Sequence, residues 1–137
     1  MRVGAEVNIR GSLFDGSLTR AVARACEESR SEVGDYGVDQ VRQRFDRVLR
    51  HDAPAYRTGR RTPGTLRAAV QAHYEGDRVT VGNGDVIYQW WIEGVGSRNR
   101  TTRFKGYFTF RKVTQLVRAE APNITRRIIG RAVRQHT

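Results

Sequence analysis

The residues whose types and spacing could carry chemistry lie in one stretch, EGVGSRNRTTRFKGYFTFRK, from Glu93 to Lys112. It begins with two closely spaced glycines, continues with four spaced cations, and then enters an aromatic run, all within twenty positions. Arginine favours bidentate pairing with carboxylate or phosphate, so the stretch predicts contact with an acidic partner, either a protein or a polyanion. The cations expected to meet that partner are Arg98, Arg100, Arg103, Lys105, Arg111 and Lys112.

The positive charge of the chain is concentrated in its last third. The formal net charge is +11 over 137 residues, and all but two of the 25 cations are arginine. From Ser97 to Thr137 there are eleven cations and a single acid, Glu120, whereas the remaining 96 residues are almost neutral. A charge placed so unevenly indicates an acidic partner, and it leaves open whether that partner is protein or nucleic acid.

Few residues offer catalytic or metal-binding chemistry. The three histidines are far apart, no Cys/His spacing resembles a zinc site, and the GxxxxGK[ST], GxSxG and HExxH motifs are absent. A small nuclease or toxin would have to use His51 with the adjacent Asp52, or the lone carboxylate of Glu93. We therefore predict that the protein is not an enzyme and uses no cofactor or metal.

The aromatic residues around the basic stretch have two interpretations. They supply burial in a core or subunit interface, or they form a base-stacking platform beside the arginines, as in proteins that bind single strands. Consecutive aromatics at a junction between a strand and a helix favour core or interface. The residues concerned are Tyr88, Trp90, Trp91, Tyr107, Phe108 and Phe110.

Period-two and period-3.6 patterns predict the elements that position these residues. We expect a strand over 5–10, a long helix over 17–50, a mobile loop over 51–65, a β-meander over 66–93, a basic loop over 94–106 and a C-terminal helix over 107–135. The meander contains a hairpin, Leu66–Tyr74 with Arg78–Val81, and a third strand over 86–88. The result is one α+β domain, in which a small antiparallel sheet is packed by the long N-terminal helix and the C-terminal helix.

Several positions within the two predicted helices are unusual. Gly34 and Gly37 each weaken the first helix by roughly 1 kcal/mol and predict a kink. Pro122 predicts either one bent helix or two helices stacked in register. Cys26, the single cysteine, is expected to be a small core residue. No stretch is long enough to cross a bilayer, and the N-terminus does not resemble a signal peptide, so we expect synthesis in a cytoplasm and no membrane partner.

The order of short motifs in TPGTLRAAVQ…VTVGN…VIYQWWIEGVGS resembles the small neck and tail-completion components of tailed bacteriophages. The resemblance covers roughly Gly59 to Val133. One departure is Gln89, where the usual member of the family has a small residue after the tyrosine. The positions that carry the family's pattern are Gly64, Leu66 and Arg67, then Val81 and Gly82, then Tyr88, Glu93 and Gly94, with Gly96 in the turn that follows.

The resemblance implies a structural protein of the virion, made in the bacterial host cytoplasm. Such proteins assemble as a ring, sixfold in preference to twelvefold, at the head–tail junction, and leave an axial channel for DNA. Their neighbours are connector, tail-tube or terminator proteins. The cations then meet carboxylates of those neighbours or the passing DNA, and we favour protein because a channel in which DNA slides should not hold phosphates strongly.

The main alternative is a basic nucleic-acid-binding module that uses the arginine-rich loop and the C-terminal helix. Under either hypothesis, we expect Glu93 to be held by local hydrogen bonds or by an arginine, and so to fix the turn before Gly94. We also expect Gly94 or Gly96 to need positive φ.

Overall fold

Two long helices and one short hairpin make up most of the described chain. The computed structural model describes residue 11 and residues 15–48, 65–82, 92–96 and 98–137. The predicted strands over 5–10 and 86–88, most of the loop over 51–65, Tyr88, Trp90, Trp91 and the side chain of Arg98 lie outside the described residues. In chain order the elements are α1 (Ser17–Val48), α2 (Thr65–Ala68), β1 (Gln71–Glu75), β2 (Arg78–Gly82), α3 (Arg98–Thr101) and α4 (Thr109–His136).

Helix α1 begins at a capped N-terminus and continues for 32 residues. The Asp15 carboxylate accepts a hydrogen bond from the Ser17 N–H at 2.8 Å, which satisfies one of the unpaired donors of the first turn. The same hydrogen bond lowers the pKa of Asp15. At 1.5 Å per residue α1 is about 48 Å long, and it passes through Gly34 and Gly37 without interruption.

Helices α1 and α4 pack side by side and run antiparallel. At one end, Ala25 lies in a buried cluster with Ile124 and Ile128. At the other end, Phe45 packs edge-to-face against Phe110, with ring centroids 6.0 Å apart. Pro122 lies inside α4, which is therefore one helix and not two stacked helices. The apolar residues of α4 that face α1 recur every three or four positions, as the sequence predicts.

The two strands form an antiparallel hairpin in which Gln71 pairs with Gly82 and Glu75 with Arg78. The first strand is shorter than predicted, because the residues before it form α2 and not a strand. Arg67 in α2 makes an ion pair with Asp46 of α1 at 2.7 Å, and its carbonyl accepts the Val70 N–H. These contacts hold the chain in a helical turn just before β1. Long helices on a small antiparallel sheet give the α+β fold that the sequence predicts.

The hairpin lies directly on α1 at Gly34 and Gly37, both of which are buried. A methyl group on Gly37 would lie 2.9 Å from Cγ2 of Val81, and one on Gly34 would lie 2.9 Å from Cγ2 of Val79. The glycines therefore provide a flat surface for β2. The sequence indicated weak points in a helix, whereas the structure shows a packing surface that needs residues without side chains.

One prediction about the core is wrong. Cys26 is exposed, because the buried line of α1 passes through its neighbour Ala25. Adjacent helical residues point about 100° apart, so only one of the two can face α4 here. None of the helices in the described part of the chain is long and apolar enough to span a membrane.

Candidate interaction surface

The segment before the basic loop meets the segment after it through two glycines. Gly94 has φ of +85° and Gly106 has φ of +106°. A methyl group on Gly106 would lie 2.3 Å from Cα of Gly94, and one on Gly94 would lie 2.2 Å from the carbonyl oxygen of Lys105. The Tyr107 N–H donates to the Ile92 carbonyl at 2.7 Å and fixes this crossing. Only glycine allows the two backbones to approach so closely.

Glu93 caps helix α4. Its Oε1 accepts a hydrogen bond from the Thr109 N–H at 3.1 Å, and its Oε2 accepts one from the Phe110 N–H at 3.0 Å. Phe108, the residue at the N-cap position, has φ of +53° and supplies no capping side chain. The Glu93 carboxylate, from the preceding segment, supplies the cap instead. It lies at the N-terminus of α4, where the helix dipole stabilises negative charge.

The environment of Glu93 shifts its titration. The side chain is buried, and this burial raises the pKa of Glu93 from its ordinary value of 4.5. The hydrogen bonds from Phe110 and Thr109, and the positive charge of Arg44, act in the opposite direction and are outweighed. The local hydrogen bonds predicted for Glu93 are present, and they fix the start of α4 as well as the approach to Gly94.

The predicted basic loop has an internal structure of its own. It contains the short helix α3 and is organised around the buried side chain of Asn99. The Asn99 Oδ1 accepts the Gly96 N–H at 3.1 Å, and its Nδ2 donates to the Phe104 carbonyl at 3.3 Å. The Lys105 ammonium donates to the carbonyls of Asn99 at 2.9 Å and Arg100 at 3.4 Å. Lys105, which the sequence assigned to an outside partner, therefore has partners within the loop.

Asn99 is a residue that sequence reasoning missed. An asparagine between two arginines suggests a solvated loop, and its burial follows only from the way the chain folds over it. The available signal was the spacing of Gly96 and Asn99, since a short polar side chain often bonds to nearby backbone in a turn.

The other described cations of the predicted site face solvent. Arg100, Arg103, Arg111 and Lys112 are all exposed. They continue into a larger basic surface on α4, whose exposed members are Arg111, Lys112, Arg118, Arg126, Arg127, Arg131 and Arg134. Between Arg98 and Arg118 the sequence contains no acid, so the cations in this part of the surface have no neutralising residue in their own segment.

The described aromatic residues of this stretch are half-buried and pack against other parts of the protein. Phe110 is half-buried and contacts Phe45, while Phe108 lies against Gly94, from which a methyl group would be 2.9 Å from the ring. Tyr107 packs on the buried cluster that contains Phe45, Val70 and Ile92. Its ring meets that of Phe104 edge-to-face, with centroids 5.0 Å apart. A base-stacking platform needs free ring faces, so these rings favour the interpretation as core.

Helix α1 carries a line of acids that contrasts with α4. Their spacing of three, four and seven residues places them on one side of the helix. One of them, Glu32, forms an ion pair with Arg127 of α4. We call this set the acidic stripe, and its members are Glu28, Glu32, Asp35, Asp39 and Asp46.

Of the residues considered for catalysis, the structure describes Glu93. Glu93 is engaged at the start of α4, and His136 at the end of the same helix has its Nδ1 2.9 Å from the Ala132 carbonyl. His51 and Asp52 lie outside the described residues. In the ranges that the structure covers, no three His, Cys, Asp or Glu side chains are grouped to hold a metal ion.

Comparisons with protein-family models, curated proteins and solved structures find no match to this chain.

Proposed function

We propose that this chain is a structural virion protein of a tailed phage, a ring-forming neck or tail-completion component that joins the head connector to the tail tube around the DNA channel. The observation that carries the proposal is the place of the signature residues Glu93 and Gly94. They form the junction that joins the hairpin side of the protein to α4, through the carboxylate cap and the contact between two glycines.

The surface properties are compatible with a subunit of a ring. A ring subunit needs two different side surfaces that meet head-to-tail. Here α1 presents exposed carboxylates and α4 presents exposed arginines, so one chain carries both members of a charge-complementary pair. The ordered basic loop adds a third surface, which in this proposal contacts a connector, tail-tube or terminator protein.

Imaging of assembled particles tests the proposal. Mass spectrometry of purified particles should detect the chain, and cryo-electron microscopy should show density for its two antiparallel helices at the junction of head and tail. Particles made without the chain should contain filled heads and separate tails. Finding the chain absent from the neck, or normal joining without it, would overturn the proposal.

A basic nucleic-acid-binding module is the second candidate. The observation in its favour is the exposure of Arg100, Arg103, Arg111 and Lys112 near one end of α4. Tight binding to DNA that is lost steeply with added salt would support this candidate over the connector.

A further inference from the structure

Within the described residues of one copy, a single ion pair joins the acidic stripe of α1 to the basic surface of α4. Arg127 of α4 contacts the acidic stripe, where it forms an ion pair with Glu32. Arg118 lies nine residues before Arg127, which is two and a half turns of helix, so the two side chains leave α4 in opposite directions. Arg118 instead borders the groove that α4 and β2 form with the Gly37 side of α1, beside Thr114 and Thr80.

Arg111 belongs to the same side as Arg118. It is seven residues away, about two turns, and it borders a second groove beside Val81 and Gly82 of β2. Both arginines are exposed, and neither forms an ion pair within the described residues. We call Arg111 and Arg118 the basic row.

The acidic stripe has free members at the same spacing. Glu28 and Asp35 are also seven residues apart, so each pair of charges spans about 10.5 Å along its helix. Glu28, Asp35 and Asp39 are exposed and form no ion pair within the part of the chain that the structure describes. Equal spacing lets two salt bridges form together when the helices lie alongside each other.

We propose that the acidic stripe of one copy docks on the basic row of the next, so that copies associate head-to-tail. This inference rests on the proposed function, which requires a subunit with two different side surfaces, and it assigns those surfaces. The partner is a second copy of this chain because each copy carries both complementary faces and keeps them on opposite sides, where a repeating contact needs them.

Charge reversal on each face tests the contact. In one variant, Arg111→Glu and Arg118→Glu make both faces acidic, and in the other, Glu28→Arg and Asp35→Arg make both faces basic. Self-association of the full chain is measured by sedimentation velocity and native mass spectrometry at low salt, where exposed charges are least screened. Each variant alone should associate at least about tenfold more weakly than the unaltered chain.

An equimolar mixture of the two variants gives the decisive result. The acidic stripe of the first variant then meets an unaltered basic row on the second, and the two reversed faces are complementary to each other. Association should therefore return in the mixture. The matched control is Arg100→Glu with Arg103→Glu, which changes the charge equally in the basic loop and should leave association within about twofold of the unaltered chain.

Several outcomes would overturn the assignment. They are a chain that stays monomeric at low salt at its highest soluble concentration, variants that associate normally, a mixture that does not recover, or a loop variant that loses association instead. Loss of binding to a 30-base-pair duplex by the basic-row variant, with association intact, would assign the row to DNA. If the variants associate as expected but the chain is absent from the neck, only the proposed function is refuted. If the chain is present in the neck but the variants associate normally, only this inference is refuted.

Discussion

Glu93, Gly94 and Gly106 determine how the chain enters its last helix. The carboxylate supplies the cap that Phe108 does not, and the two glycines let the segments before and after the basic loop cross at backbone contact. Each residue depends on the others, because the cap is in place only while the segments are held together. This small group links a short sequence motif to the position of a 28-residue helix.

Replacement of Gly94 by alanine should lower the free energy of unfolding by about 2–4 kcal/mol, from left-handed backbone strain and from overlap with the Lys105 carbonyl. Urea unfolding measures this difference. Gly76→Ala is the matched control, since Gly76 also has positive φ, at +56°, but has no atom within 4 Å of an added methyl group. It should cost only about 1 kcal/mol. Equal costs at the two positions would mean that the crossing of the backbones does not constrain the fold.

Replacement of Glu93 should change how stability depends on pH. Because burial raises the pKa of Glu93 in the folded protein, its contribution to stability is fully present below the unfolded pKa and is lost as pH rises through the folded pKa. The free energy of unfolding of the natural chain, relative to that of Glu93→Gln, should therefore fall as pH rises from about 4.5. Urea unfolding of both proteins at matched pH values measures this, and a constant difference across that window contradicts it.

The same residue can be tested for its role as a cap. Glu93→Ala leaves the N–H groups of Thr109 and Phe110 without their carboxylate partner, which should cost about 1–3 kcal/mol. Glu120→Ala serves as the control. Glu120 is partly buried in the middle of α4, and its carboxylate caps no helix. Similar small effects at both sites would show that the cap contributes little.

At the scale of elements, the contact at Gly34 and Gly37 determines how closely the hairpin packs on α1. Glycine is a poor helix former, yet Gly34 and Gly37 lie in the middle of a long helix. Their lack of side chains brings β2 against the backbone of α1, and Arg42 and Arg30 add hydrogen bonds to the carbonyls of Val70 and Gly76. The cost in helix propensity is thus offset by close packing.

Alanine at Gly37 should lower the free energy of unfolding by about 1–2 kcal/mol, even though alanine favours the helix by nearly 1 kcal/mol. The reason is overlap of the new methyl group with the side chain of Val81. Val81 lies in β2 and has a short, branched side chain, so it cannot move aside as the end of a long side chain can. Gly130→Ala in α4 is the matched control, because its methyl group would meet only the end of the Arg134 side chain, at 3.5 Å. That variant should be more stable than the natural chain by about 0.5–1 kcal/mol. Stabilisation by both substitutions in thermal unfolding would contradict the packing role of Gly37.

At the scale of the whole molecule, the separation of charge is the dominant feature. The excess of positive charge lies on α4 and the loop before it, whereas α1 contains six acids and six cations. Many exposed ion pairs contribute little to stability. The pattern is thus better explained by contacts with other molecules than by the stability of a single copy.

Titration with duplex DNA at several salt concentrations separates the two candidate functions. For a connector, we expect only weak binding, with a dissociation constant of roughly 10⁻⁴–10⁻⁶ M at physiological salt. The slope of the logarithm of the binding constant against the logarithm of the salt concentration measures the phosphate contacts. Arg100→Ala with Arg103→Ala should make this slope less negative by about 0.9 for each phosphate contact removed. Arg131→Ala with Arg134→Ala, at the far end of α4, gives a control with the same loss of charge. Binding tighter than about 10⁻⁸ M that discriminates among sequences would favour the nucleic-acid module.

The sequence by itself determined the two long helices, the hairpin and the sign of the excess surface charge. The apolar spacing in α1 and α4 fixes which side of each helix is buried, since local periodicity is enough to align those residues. The hairpin around Gly76 and the excess of cations after Ser97 are likewise local properties. The side of α4 that faces α1 was thus predicted from its own residues, while the exposure of Cys26 was missed because its pattern fits more than one phase.

The tertiary structure alone decided which distant residues meet. Glu93 caps a helix that begins sixteen residues later, Gly34 and Gly37 receive a strand more than forty residues away, and Asn99 is buried by its own loop. Such contacts depend on how elements pack, which no single segment specifies. For the same reason, only the folded chain shows that the acids of α1 and the basic row of α4 point to opposite sides, because that arrangement follows from the antiparallel packing of the two helices.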